Sequence, residues 1–264
     1  MRQNVSNTII VIPARMAATR LPGKPLRQIG DAPMIVQVWR RAVAADIGRV
    51  IVACDGDAIA DIIRAEGGEA VITDPDLPSG SDRVAAALTR IDPDKSYEYV
   101  INLQGDLPEM TPEMLSQLNT ALHQNAFDII TPVALLTAAE KEPDSVVKAV
   151  VSWPEGDIGE IGWAIYFSRA AIPHGGITDD IPMDTATTQM AAMWHHVGVY
   201  GWRRTALEQF VTLPPSALER AEKLEQLRAI EAGMRIGAIA VDMAITGIDT
   251  ETDLQAATNR MATS

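Results

Sequence analysis

The chain has 264 residues, 47% of them apolar and 22% charged, with a net charge of −13, the make-up of one large α/β domain or two small ones. A field that negative excludes a general nucleic-acid or anionic-membrane binder, which needs a broad basic face, and no apolar run reaches the ~18–20 residues of a membrane span. The single cysteine, Cys54, rules out internal disulfides and cysteine-based zinc sites, and the start lacks a basic flank leading into a signal core, so the expectation is a cytoplasmic protein.

Short β-branched runs alternate with helical spacings along the chain. Thr8–Ile12 reads as a buried strand, followed by a loop rich in proline, glycine and base, Pro13–Pro25. Pro33–Asp46 carries Met34, Val38, Ala42 and Ala45 at helical spacing. Arg49–Cys54 is a second strand, and Asp57–Glu66 a helix closed by Gly67-Gly68. Ala70–Thr73 reads as a short strand, Ser81–Ile91 as a helix and Tyr99–Leu103 as a strong apolar strand. Pro112–Gln124 is a helix opened by proline, and Asp128–Leu135 is another strand. Between Val147 and Tyr200 the rhythm breaks: short strand-like runs (Val147–Val151, Ala164–Phe167, Val197–Tyr200) surround a polar stretch, His174–Gln189, expected to be mobile. Helices over Arg203–Val211 and Leu218–Ala232, a strand over Ile236–Val241 and a closing helix from Thr250 complete the order. Such units build a mostly parallel sheet with helices on both faces. The expected organisation is one domain over 1–264, with 147–200 as an inserted smaller subdomain. Ligands bind beyond the carboxyl ends of such strands, which marks the loops after Ile12, Thr73 and Leu103.

The first of these loops is where the charge is unusual. From Arg15 to Arg41 there are six basic residues (Arg15, Arg20, Lys24, Arg27, Arg40, Arg41) and one acid, Asp31, a local +5 inside a chain of −13. Cations at the end of a first strand suit a polyphosphate, since lysine supplies point charge and arginine a fork of donors; a solvated basic loop would read the same way. The only Gly-Lys pair precedes Pro25, so this is no P-loop, and no G-x-G-x-x-G follows a strand. Cys54 belongs to an apolar strand, as a buried inert thiol does. After Leu103 the chain reads Gln104-Gly105-Asp106, placing a carboxylate at the ligand edge of the sheet. Asp249 lies in another strand-to-helix loop. Singly, Asp106 reads equally as a turn cap, and Asp249 reads more readily as a helix cap than as a ligand. Together, opposite a basic loop, they make a coherent metal–nucleotide site, since Mg²⁺ at such a site is typically held by one or two carboxylates and substrate phosphates.

The run Ala14-Arg15, Thr19-Arg20-Leu21-Pro22-Gly23-Lys24-Pro25 resembles the signature loop of the 3-deoxy-manno-octulosonate (Kdo) cytidylyltransferases. Further motifs recur in that family's order: Ser79-Gly80-Ser81-Asp82-Arg83, Gln104-Gly105-Asp106, Tyr166-Phe167-Ser168-Arg169-Ala170 with Ile172-Pro173, and His196 with Gly198-Val199-Tyr200. Leu213-Pro214-Pro215-Ser216, Leu224-Glu225-Gln226-Leu227-Arg228 and Gly247-Ile248-Asp249-Thr250 follow, so the resemblance runs from about Ile9 to Met261.

It implies a Rossmann-like nucleotidyltransferase fold and transfer of CMP from CTP to the anomeric hydroxyl of Kdo, giving CMP-Kdo and pyrophosphate for lipopolysaccharide. In its terms Arg15 and Lys24 hold the triphosphate, and Asp106 and Asp249 hold Mg²⁺. Pro13, Ala14, Ser79, Gly80, Arg83 and Gln104 complete the nucleotide site. Gln104, Arg169, His196, Tyr200 and Glu225 match positions associated with the sugar, although Tyr200 and His196 also fit as ordinary strand residues and Glu225 as a solvated helix residue. The resemblance further implies a homodimer joined through the middle subdomain. His123, His174 and His195 are left as surface residues. The chain departs from the family pattern at Ala18 (usually Ser), Leu107 (Glu), His195 (Arg or Lys), Ala217 (Pro) and Glu251 (Pro). Those near Leu107 and His195 keep open another acidic acceptor, an 8-amino relative of Kdo or a sialic-type acid. A catalytically silent nucleotide-sugar sensor is the alternative of a different class.

Overall fold

A continuous apolar run can bury both faces only in a sheet covered on either side. In the computed structural model, which describes residues 7–154, 157–175 and 192–262, such a run forms β1 (Thr8–Ala14), buried throughout. A small hairpin, β2 (Gln28–Ile29) and β3 (Ala32–Pro33), leads into α1 (Met34–Ala44), β4 (Arg49–Cys54), α2 (Asp57–Ala65) and β5 (Glu69–Ile72). Then come α3 (Gly80–Ile91), β6 (Tyr99–Asn102), α4 (Pro112–Gln124), β7 (Ile129–Leu135), β8 (Lys148–Ser152), β9 (Gly162–Ser168) and β10 (Trp194–His196). The chain closes with β11 (Tyr200–Arg203), α5 (Arg204–Phe210), α6 (Ala217–Glu222), α7 (Gln226–Glu231), β12 (Ile236–Val241) and α8 (Glu251–Met261). Among the described residues no helix is long and apolar enough to cross a membrane.

The chain divides into two compact units, Met1–Asn119 with Gly247–Ser264, and Thr120–Thr246. In the first, the strands run β6-β1-β4-β5, all parallel. This is the parallel sheet expected from the alternating pattern. α3 starts at Ser79, whose hydroxyl accepts from the Asp82 amide, and α8 starts at Thr250 in a capping box with Asp253. Leu21, Ile29, Met34, Ile248, Leu254 and Ala257 form one buried cluster. It ties the basic loop, the hairpin and α1 to the closing helix, each fully buried Leu or Ile adding roughly 1.5–3 kcal/mol.

In the second unit β7 and β12 are parallel, while β7–β10, β10–β8, β8–β9, β9–β12 and β7–β11 are antiparallel. The pairings β7-β12-β9-β8-β10-β7 close on themselves, which leaves those strands without a free edge to template aggregation. The expected inserted segment, 147–200, supplies β8, β9 and β10 of this unit. Of the His174–Gln189 stretch only His174 and Gly175 lie within the described residues.

Two elements differ from expectation. Val197–Tyr200 is not a strand: the Val199 amide bonds the Val197 carbonyl (2.7 Å) and Thr131 Oγ1 lies 3.1 and 2.8 Å from the Val197 and Val199 carbonyls. This tight turn parts β10 from β11. The helix expected over Leu218–Ala232 is two helices, because Lys223 takes a left-handed φ of 57° that ends α6.

His196 lies in the core of this unit, its ring 4.8 Å from Phe167 and 5.4 Å from Tyr200, with Nε2 3.0 Å from Thr131 Oγ1. Burial, then the charge of His195, lowers its pKa to about 3, against ~6.5 when unfolded. Above pH ~6.5 neither state binds this proton; as pH falls towards 3 only the unfolded chain takes it up, so stability is lost. His196→Gln is expected to flatten the acid-side fall in urea midpoint between pH 6.5 and 4, a contribution on the order of a few kcal/mol. An unchanged slope would mean that another group drives it.

Candidate active site

The loop after β1 is shaped by its own residues. Gly23 takes φ 65°, a left-handed turn, and hands the chain to a single 3₁₀ turn, Lys24–Leu26, with Pro25 buried. This turn aims Lys24 at the two loops singled out from sequence. Its Nζ donates to Asp106 Oδ2 (2.6 Å) and to Asp249 Oδ1 (2.9 Å). Arg20 donates to the other Asp249 oxygen at 2.8 Å, and Arg27 pairs with Glu251 at 2.7 Å. Asp106 is brought in by a close backbone approach: a Cβ on Gly105 would stand 2.9 Å from the Pro13 carbonyl. The Ile248 amide bonds the Asp106 carbonyl at 3.0 Å, which docks the second carboxylate loop on the first.

Burial works to lower the Lys24 pKa, but the charge of Asp106, with hydrogen bonds to Asp106 and Asp249, outweighs it, so the ammonium is held above its ordinary value. One cation therefore bridges two carboxylates. Among the described residues no group of three or more His, Cys, Asp or Glu side chains is placed to hold a metal ion. The pair nonetheless fits Mg²⁺, which is commonly bound by one or two carboxylates, with substrate phosphate oxygens and waters filling the octahedron.

These groups line a cavity of about 570 Å³ in the first unit. All of Pro13, Ala14, Arg15, Lys24, Ser79, Gly80, Arg83, Gln104, Asp106 and Asp249 border it, as do Ala18, Arg20 and Leu77. Arg83 is only 2% exposed. Its guanidinium donates to Thr73 Oγ1 (2.5 Å) and to the carbonyls of Asp74 and Pro75 (3.1 and 3.3 Å), so it shapes the 73–75 loop as well as facing the cavity. Gln104 Nε2 donates to Asn102 Oδ1 at 3.0 Å. Arg20 was visible in the basic window but was not singled out there; its ion pair to Asp249 marks it.

The remaining sugar-associated residues belong to the second unit. His196 and Tyr200 adjoin, both buried, and burial followed by the Glu225 charge holds the Tyr200 hydroxyl well above its ordinary pKa. Glu225 therefore sits within electrostatic reach of Tyr200, at the start of α7 and not on an isolated solvated face. Arg169 is held differently: Nε donates to the Glu222 carbonyl (3.2 Å) and Nη1 to the Asp144 carbonyl (2.8 Å), so much of its fork binds backbone.

His195 corrects the sequence reading. It is 3% exposed, not a surface residue, and its Nδ1 lies 2.8 Å from Glu140 Oε1. β10 alternates between two covered sides, so both successive histidines are buried. Of the departures, Leu107 is also buried, and Glu251 is an exposed partner of Arg27. Only Ala18 borders the cavity. Cys54 is buried, and desolvation raises its pKa, as an inert thiol requires.

A family model described as Cytidylyltransferase matches residues 9–236. A 3-deoxy-manno-octulosonate cytidylyltransferase of Parvibaculum lavamentivorans is 48% identical over 262 residues, 99% of this chain and 95% of that protein. One from a Bradyrhizobium species is 52% identical over 251 residues, 94% of this chain and 95% of the other. A solved structure of CMP:2-keto-3-deoxy-manno-octonic acid synthetase complexed with CTP superposes with a TM-score of 0.83 at 35% identity, covering 97% of this chain and 98% of that one.

Removing the bridging cation leaves Asp249 with its exposed Arg20 partner and takes from Asp106 its Lys24 ion pair. Because the Asp249 side chain is 45% exposed, Lys24→Met is expected to cost a discounted ~1–2 kcal/mol in chelator. Part of that loss is expected to return on adding Mg²⁺. Thermal melts in EDTA and in Mg²⁺ check this; a variant as stable as the parent in EDTA would end the bridging role.

Proposed function

We propose, for a chain that belongs to the 3-deoxy-manno-octulosonate cytidylyltransferase family, that it transfers CMP from CTP to the anomeric hydroxyl of Kdo with Mg²⁺, in the supply of CMP-Kdo for lipopolysaccharide. The observation that carries this reading is the Lys24–Asp106–Asp249 arrangement in the wall of a cavity that also exposes Arg15 and Arg20. A triphosphate needs such a cluster of cations, and a metal needs the carboxylates.

In the reaction the sugar oxygen forms a bond to the α-phosphorus as the α–β anhydride bond breaks, and pyrophosphate leaves with the developing charge. There is little covalent chemistry for the protein to do, so catalysis is positioning plus electrostatics. Arg15 and Lys24 hold the departing phosphates through charge-assisted hydrogen bonds. Mg²⁺ on Asp106 and Asp249 would supply charge neutralisation at the triphosphate. The backbone at Pro13 and Ala14, with Ser79, Gly80 and Arg83, holds the nucleoside end. Gln104, Arg169, His196, Tyr200 and Glu225 are assigned to the sugar. With its pKa near 3, His196 is neutral at physiological pH and serves as a hydrogen-bonding group, not as a cation for the sugar carboxylate.

The burial of Leu107 and His195 favours Kdo over another acidic acceptor, since two departures that kept those acceptors open lie in packed interiors. Homodimerisation and a cytoplasmic setting belong to the same proposal. Trp163 and Ile165, 48% and 44% exposed at alternate positions of β9, support an interface on the 147–200 segment. Sedimentation velocity is expected to show a dimer that Trp163→Arg weakens; an unaffected dimer would place the interface elsewhere.

Pyrophosphate release from CTP plus Kdo in the presence of Mg²⁺ is the direct test, run against a panel of acidic sugars. Asp106→Asn and Asp249→Asn are each expected to lower kcat by about 10²–10³-fold, the scale of removing one electrostatic group from an active site. No pyrophosphate with any acceptor would overturn the reading.

A further inference from the structure

The cavity wall depends on a carboxylate that the sequence motifs do not single out. Asp55 follows β4 directly, and the register of β1 against β4 pairs Ala14 with Cys54. One residue further along each strand stand Arg15 and Asp55, so the two leave the sheet side by side, on strands spaced about 4.8 Å apart. Asp55 Oδ2 accepts the Met16 amide at 2.8 Å, which fixes the peptide directly after Arg15. Its other oxygen, Oδ1, is buried and without a hydrogen-bond partner. A buried anionic oxygen left unpaired is costly, and one that persists in a folded site calls for an explanation.

The neighbouring charges supply one. Burial lowers the pKa of Arg83, the charge of Asp55 opposing this and that of Arg15 adding to it. Asp55 and Arg15 thus both stand close enough to Arg83 to act on its charge. The Arg83 fork is already spent on Thr73, Asp74 and Pro75. Arg15 is exposed to the cavity, and its guanidinium has no hydrogen-bond partner among the described residues. A guanidinium carries five donors, enough to meet a carboxylate on one edge and a phosphate on another.

We propose that Asp55 is the positioning residue of Arg15: it anchors the loop through the Met16 amide and offers Oδ1 as the acceptor that aims the guanidinium at the nucleotide's phosphates. The inference rests on the nucleotide reading above, in which Arg15 contacts the triphosphate. Asp55 touches no reacting atom in this scheme and acts only through its neighbour.

The test is a double-mutant cycle read by calorimetric titration of Mg²⁺·CTP into the full chain without sugar. Arg15→Ala and Asp55→Ala are each expected to weaken binding about tenfold, the size of one charge-assisted hydrogen bond. Asp55→Ala added to Arg15→Ala is expected to cause no further loss, since the partner it serves is gone. Asp55→Asn, which keeps an acceptor for the Met16 amide but not the anion, is expected to fall between the parent and Asp55→Ala. It replaces the alanine in the cycle if thermal melts show that Asp55→Ala is unfolded. Additive losses in the double variant, or an Asp55 variant that binds as the parent does, would overturn the proposal. Failure of the unsubstituted chain to bind Mg²⁺·CTP would overturn the nucleotide reading itself, and it shows in the first titration.

Discussion

Everything around the cavity depends on one lysine ammonium held between two carboxylates. Lys24 reaches Asp106 and Asp249, 82 and 225 residues away in the chain, and so ties three loops at a single point. The constraint runs backwards into local structure. Gly23 must turn left-handed, Gly105 must lack a side chain beside the Pro13 carbonyl, and Ile248 must dock on Asp106. The apolar cluster of Leu21, Ile29, Met34, Ile248 and Leu254 holds those loops in register. Packing sets the positions, and the ion pairs then set the electrostatics.

A protein of net charge −13 that handles an anionic ligand must keep its cations apart from its own acids or pair them in ways a ligand can exchange. Both arrangements are present in the first unit. Arg27 and Arg40 are spent on Glu251, Asp31 and Glu66 at the surface, where such pairs add little stability. Among the described residues Arg15 has no such partner, and it borders the cavity. Lys24 and Arg20 are paired with the same carboxylates that suit a metal, so those four charges balance before any ligand arrives.

The second unit uses buried polar groups for a different purpose. Glu140 accepts from Thr137 and lies against His195, while Lys148, fully buried, donates to the carbonyls of Pro143 and Arg169. Arg169 in turn holds Asp144 and Glu222. Groups so thoroughly used to satisfy backbone carry specificity for one packing arrangement, because losing a partner strands a buried charge.

Local physics made most of the elements readable. β4 and β12 begin and end where alternation and β-branching put them, and α4 starts at its proline. The two failures came from backbone conformations that side-chain patterning does not encode: the turn at Val197–Val199 and the left-handed Lys223. For the cavity, the basic window, Asp106 and Asp249 stood out because charge at a strand-to-helix loop is a local property. The sequence by itself determined the parallel alternation, the carboxyl-edge loops and the chemical types that meet there. Only the tertiary structure decided that Lys24 bridges both carboxylates, that Asp55 stands beside Arg15, and that His195 is buried against Glu140. Each of those joins residues far apart in the chain, and such contacts are set by strand register and packing, which no short window of residues contains.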